Sequence, residues 1–215
     1  MKIQANSRLV FMGDSVTDCG RSRPVAQGLF DPLGKGYPCL INALFNACCP
    51  ELRIHVINMG DSGDTSRGNL NRWDDIMALK PDWVSLMIGI NDVWRQFDVP
   101  TIPDYHVLPE EYEQNLIKII EKTLPHVKGM VLMTPYYIES NPQDAMRARM
   151  DEYGAICKKL AEKYQLIFVD TQAAFNEALK YQHSAYFAWD RVHPNIPGHA
   201  VLAKAFLKAV DFEWK

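Results

Sequence analysis

The chain has 215 residues, 47% of them hydrophobic and 23% charged, with a formal net charge of −3. That is enough apolar content for residues 1–215 to bury a core as one domain, and without a basic excess a nucleic-acid partner is not expected. No apolar run approaches the about 20 residues of a membrane span. Met1–Ser7 lacks the apolar stretch of a signal peptide. Five irregularly spaced cysteines, two of them adjacent, suit neither a disulfide framework nor a zinc pattern. These features predict a cytoplasmic protein with reduced thiols and no metal or other cofactor.

The first predicted strand, Leu9–Met12, is four apolar residues closed abruptly by Gly13-Asp14-Ser15, the pattern of a buried parallel strand running into a tight turn. Ligands of open parallel sheets bind outside the carboxyl ends of the strands, which places the Ser15 hydroxyl at the mouth of a cleft. Asp14 and Ser15 are equally suited to capping a following helix. After a loop at Pro32–Gly36 comes an amphipathic helix over Tyr37–Cys48, then a strand over Ile54–Asn58. That strand ends in Met59-Gly60-Asp61-Ser62-Gly63, where a glycine can adopt positive φ and bring an N–H close to a ligand. A helix over Asn69–Ala78 leads to the strand Trp83–Ile88 and then Gly89-Ile90-Asn91-Asp92. There the Asn91 amide can donate to a developing negative charge, although Asn91 and Asp92 also fit a helix cap.

A loop over Pro100–Pro109 gives way to a helix over Pro109–Thr123, with proline in its first turn and Glu110 and Glu111 at its positive end. The strand Met130–Met133, the helix Asp144–Tyr164 and the strand Leu166–Val169 follow. A last helix after His193 carries Val201, Leu202, Ala205, Phe206 and Val210 as its apolar stripe. Strands alternating with helices imply parallel pairing and helical crossovers. The predicted fold is an α/β three-layer α/β/α sandwich with a five-stranded parallel sheet in the flavodoxin-like strand order.

Near the C-terminus, Asp190-Arg191-Val192-His193 sets a carboxylate three residues before a histidine. This spacing lets Asp190 accept from Nδ1–H and leaves Nε2 facing the cleft, where His193 can take the Ser15 proton. The same four residues would also serve as an ordinary surface turn. His199, a rival base, has no nearby acid in sequence, and His55, His106, His126 and His183 read as structural or solvated. Nucleophile, base, acid and oxyanion donors nevertheless come from four separate strand or loop ends on one edge of the sheet. Trp94, Arg95 and Trp189, after a strand or beside the Asp–His pair, are candidate substrate contacts. Tyr136 and Tyr137 read better as packing.

These residues resemble the SGNH hydrolases, a subset of the GDSL esterases and lipases. The resemblance rests on Gly13-Asp14-Ser15-Val16-Thr17-Asp18, Asn58 through Thr65, Gly89-Ile90-Asn91-Asp92 and Asp190-Arg191-Val192-His193, in family order across nearly the whole chain. It implies a single SGNH hydrolase domain over 1–215, Ser15 as nucleophile, His193 as base and Asp190 as its partner. It also implies an oxyanion hole made of the Ser15 and Gly63 N–H groups with the Asn91 side chain. Gly60 competes for the glycine role; Gly63 is preferred because it lies five residues after Asn58, where the family's glycine falls. Further stretches, Met87–Gln96, Phe168–Glu177 and Trp189–Pro194, look like intracellular bacterial acetylxylan esterases of this family. This implies deacetylation of short xylo-oligosaccharides by a cytoplasmic homo-oligomer with no membrane partner. Rival expectations are a short-chain esterase, lysophospholipase or thioesterase on the same fold, an esterase for a different acetylated sugar, and a non-catalytic carbohydrate-binding protein. An electron carrier is disfavoured, since the loop after the first strand lacks a Ser/Thr run suited to phosphate.

Overall fold

The computed structural model describes residues 1–214. Five parallel strands form its centre: β1 (Arg8–Gly13), β2 (His55–Asn58), β3 (Trp83–Met87), β4 (Gly129–Met133) and β5 (Ile167–Val169). Their order, β2-β1-β3-β4-β5, is the flavodoxin-like one. Interior strands of such a sheet are covered on both faces and so read as continuous apolar runs. Leu9, Val10, Phe11 and Met12 are all fully buried, as are Val84 and Leu86.

Nine helices flank the sheet among the described residues: α1 (Ser15–Asp18), α2 (Tyr37–Cys48), α3 (Ser66–Asn71), α4 (Trp73–Ala78), α5 (Ile90–Asp98), α6 (Pro109–Thr123), α7 (Ala145–Tyr164), α8 (Thr171–Leu179) and α9 (Ile196–Ala209). Helices α2, α8 and α9 pack together, while α3, α5, α6 and α7 make a second set. One hydrophobic cluster runs through all three layers, from Ile3 and Phe45 to Trp73, Tyr112 and Phe206. No described helix is long and apolar enough to cross a membrane. The five cysteines are free thiols.

The predicted strands match within one or two residues. The helix expected over Asn69–Ala78 is two helices with the break at Arg72, whose guanidinium reaches Asp64 Oδ2 and the Met59 carbonyl. Helices α1 and α5 follow the two places where a helix cap was an open alternative, and α8 was not anticipated. Each starts just past a strand's carboxyl end, with Asp14, Gly89 or Asp170 at the N-cap position, and the two aspartate side chains accept a cap bond.

The fold's contribution to the site is the register β2-β1-β3. Gly13 pairs with Met87 and Phe11 with Asn58, so the turns after three adjacent strands emerge side by side.

Candidate active site

Ser15 is the first residue of α1. Asp14 caps that helix, its buried side chain accepting from Val16 N–H at 3.0 Å. Both readings of the pair therefore hold at once: Asp14 caps, and the cap presents Ser15. Gly13 permits the turn because a Cβ there would lie 2.2 Å from Thr17 Oγ1 and 2.4 Å from the Met87 carbonyl.

Ser15 Oγ lies 2.9 Å from His193 Nε2, and His193 Nδ1 lies 2.6 Å from Asp190 Oδ2. A carboxylate can only accept, so the proton sits on Nδ1 and Nε2 is free to accept from the serine hydroxyl. Asp190 has a second task, its Oδ1 accepting from the backbone N–H of Val192 at 3.0 Å and of His193 at 2.8 Å. Partial burial pushes the Asp190 pKa up, but the His193 hydrogen bond and the two backbone N–H groups outweigh it and hold the carboxyl below its ordinary value. The turn carrying both residues is anchored to the strand layer: Tyr136 Oη donates to the Val192 carbonyl at 3.0 Å, and Ile138 N–H to the Arg191 carbonyl at 3.0 Å. The packing role expected of Tyr136 is what it has; the ring is buried.

Three N–H groups are the candidate oxyanion donors. The Ser15 N–H, at the first position of α1, has no partner within the helix. The Gly63 backbone sits at φ +82° with open space around it, and no acceptor among the described residues takes its N–H. Gly60 differs in both respects: its N–H donates to Asn58 Oδ1 at 3.0 Å, and a Cβ there would meet Asp18 N at 2.3 Å. Gly60 is thus a close-packing glycine turned inward, and Gly63 faces out. Asn91, in the first turn of α5, donates one Nδ2–H to the Asp64 carbonyl at 2.8 Å, which leaves its second N–H available.

The loop bearing Gly63 is held by groups that sequence reasoning missed. Asp18, at the end of α1, accepts from Ser62 N–H at 3.2 Å, Ser62 Oγ at 2.7 Å and Arg23 Nη2 at 2.7 Å. Arg21 Nε donates to the Gly60 carbonyl at 2.6 Å. On the other side Asp64 takes Arg72 Nε at 2.8 Å and Asn69 Nδ2 at 2.6 Å. The buried Asp92 carboxylate accepts from Ser66 N–H at 3.0 Å and from Ser66 Oγ. Burial raises the pKa of Asp92 and of Asp14 to about 7.

Of the other sequence candidates, Trp94 stands against His193, with 5.7 Å between the two ring centroids. Trp189 precedes Asp190 and is 92% exposed. Arg95 bonds within α5, to Asp98 and Asn91. His199 is buried; its Nδ1 accepts from Tyr37 N–H at 3.2 Å, so Nε2 carries the proton, 3.4 Å from Cys19 Sγ. Burial, with the His193 imidazole nearby, lowers its pKa to about 4, so His199 is a neutral structural residue. His193 and Asp190 keep 45% and 38% of their side-chain surface in solvent. The site is an open face and not a tunnel.

The GDSL-like Lipase/Acylhydrolase family model matches residues 11–201. An acetylxylan esterase of Geobacillus stearothermophilus is 54% identical over 215 residues, covering 100% of this chain and 98% of that protein. The crystal structure of Axe2, an acetylxylan esterase from G. stearothermophilus, superposes with a TM-score of 0.98 at 54% identity, over 100% of this chain and 98% of that one. LAE5, described as an alpha/beta hydrolase enzyme from the metagenome of Lake Arreo, superposes at 0.97 with 51% identity, over 99% and 98% of the two chains. The chain belongs to the GDSL-like lipase/acylhydrolase family and is a carboxylic ester hydrolase.

Proposed function

We propose that the enzyme removes acetyl groups from acetylated xylo-oligosaccharides through an acetyl-enzyme, with Ser15 as nucleophile, His193 as general base and Asp190 as its partner. The observation that carries this reading is the hydrogen-bonded line from Ser15 Oγ through the His193 ring to Asp190 Oδ2, at 2.9 and 2.6 Å. Ser15 Oγ attacks the acetyl carbonyl as its proton passes to Nε2, and Asp190 stabilises the imidazolium. The carbonyl oxygen becomes an oxyanion facing the Ser15 N–H, the Gly63 N–H and Asn91 Nδ2, donors fixed before charge develops. Collapse expels the sugar oxygen, which takes the proton from Nε2. Water, deprotonated by His193, then releases acetate and restores Ser15.

The substrate class is supported by the full-length similarity to acetylxylan esterases at 54% identity and by the openness of the site. Trp189, almost wholly in solvent, offers a ring face to a sugar lying across the site, and Trp94 beside His193, with the Arg95 guanidinium over its ring, lines it. An open face suits a bulky polar substrate carrying a small acyl group, where a long acyl chain needs an enclosed apolar channel. Residues 1–215 act as one domain in this reading, in the cytoplasm and as a homo-oligomer; free thiols and the exposed apolar Leu29 and Phe30 are consistent with that.

Acetate release from acetylated xylo-oligosaccharides, measured beside other acetylated sugars and octanoyl and palmitoyl esters, tests the substrate class. The xylo-oligosaccharides should give the highest kcat/KM, and a preference for long acyl chains would defeat the reading. Ser15→Ala should reduce 4-nitrophenyl acetate turnover to background, and retained turnover would remove Ser15 from the mechanism.

A further inference from the structure

Asn91 and Arg95 are four residues apart on α5 and share one face of it. Arg95 Nη2 donates to Asn91 Oδ1 at 3.2 Å, while Asn91 Nδ2 donates to the Asp64 carbonyl at 2.8 Å. A guanidinium only donates and a carbonyl only accepts, so the two partners together admit one orientation of the carboxamide and forbid the flipped one. Flipped, Asn91 would aim Oδ1 and its lone pairs at the developing negative oxygen. The guanidinium is itself held. Its Nη1 pairs with Asp98, and its Cζ lies 5.1 Å from the centroid of the Trp94 ring. All of these contacts are made by the protein alone, before any substrate arrives.

We propose that Arg95 is a positioning residue for ester hydrolysis, which locks the Asn91 carboxamide with an N–H toward the oxyanion and polarises that N–H through Oδ1. The proposal rests on the reading of Asn91 as an oxyanion donor. A cation bonded to the amide oxygen draws electron density across the amide and makes its N–H a stronger donor. That gain is largest when the acceptor is an oxyanion, so it belongs to the transition state and acts on kcat. A guanidinium whose work was to bind sugar would instead act on KM for the sugar ester and leave a sugarless ester alone.

The test is steady-state kinetics on 4-nitrophenyl acetate for Arg95→Met, Asn91→Ala and the double variant. Arg95→Met should lower kcat about 10-fold, short of the about 10²–10³ of a lost donor, with KM little changed. The double variant should be no slower than Asn91→Ala alone, because Arg95 then has no carboxamide to position. Arg95→Lys keeps the cation and a single donor and should recover part of the lost kcat; it takes the place of the methionine variant in the cycle if that one does not fold. An unchanged kcat in the Arg95 variants overturns the proposal. So do losses that multiply with that of Asn91→Ala, and an effect confined to KM for acetylated xylo-oligosaccharides. Full kcat in Asn91→Ala alone overturns the oxyanion reading first, and this proposal with it.

Discussion

Ser15 is placed by its neighbours on either side. Gly13 lets the chain pass against Met87 and Thr17, and Asp14 caps the helix that Ser15 begins. Gly63 is the residue whose substitution separates backbone geometry from chemistry. An L-residue at φ +82° is strained by about 1–2 kcal/mol, yet a Cβ there meets nothing within 4 Å. Gly63→Ala should therefore fold and keep its backbone N–H. It should lose kcat on 4-nitrophenyl acetate only as the strained turn relaxes and re-aims that N–H, by at most the about 10²–10³ of a missing donor; an undiminished kcat in a variant whose turn has shifted would remove Gly63 from the oxyanion hole. Gly13-Asp14-Ser15, Asn91 and Asp190–His193 are legible as candidates from residue type and spacing, and Gly63 from its distance from Asn58. The unreadable part is what the inward glycine does, since only the turned backbone shows Gly60 N–H spent on Asn58.

At the scale of elements, α1 and the loop after β2 act as one assembly through Asp18. Its carboxyl is buried and gathers Ser62 and Arg23. Burial pushes its pKa up, but the Arg23 and Ser62 hydrogen bonds prevail and hold it below the ordinary value. Asp18→Ala should cost about 2 kcal/mol, the range for lost hydrogen bonds to a charged group, and slow turnover as Gly63 loosens. Denaturant unfolding and kcat measured on the same sample check both; full kcat in a destabilised variant would limit Asp18 to stability. None of this network was legible, because Asp18, Arg23 and Ser62 meet only once the chain has crossed the sheet and returned. Helix α5 is only half legible: Ile90, Val93, Trp94 and Phe97 have helical spacing, but Asn91 and Asp92 fit a strand-end turn as well as a helix cap, and the Asn91–Arg95 pairing exists only on the folded helix. Helix α8 hid behind β5, three residues long, although Asp170 is the capping signal.

Across the whole molecule, the alternation of strands and helices in the sequence was sufficient for the strand order, while the electrostatics of the interior were not. Asp14 and Asp92 are buried with pKa values raised from 3.8 to about 7, by burial first and by neighbouring carboxylates second. A carboxyl with a native pKa above its unfolded one holds its proton more tightly when folded. Its contribution to stability is complete below about pH 4 and is lost as pH rises through about 7. Asp92→Asn, neutral throughout, should therefore gain on the wild type between pH 4 and 7, by up to about 1.4 kcal/mol per pH unit. Thermal unfolding of both proteins across that range reads the difference, and a pH-independent gap would mean that Asp92 is ionised in the native state. The Asp190–His193 turn has a different consequence at this scale. Asp190 and His193 sit three residues apart and are tied by two hydrogen bonds to each other, while Asp190 also accepts from Val192 N–H and the Val192 carbonyl accepts from Tyr136 Oη. The serine is 178 residues away. In the proposed mechanism the three reacting groups thus reduce to two rigid parts with one adjustable gap, so activity can be lost through a single slip between them while every secondary element is still folded.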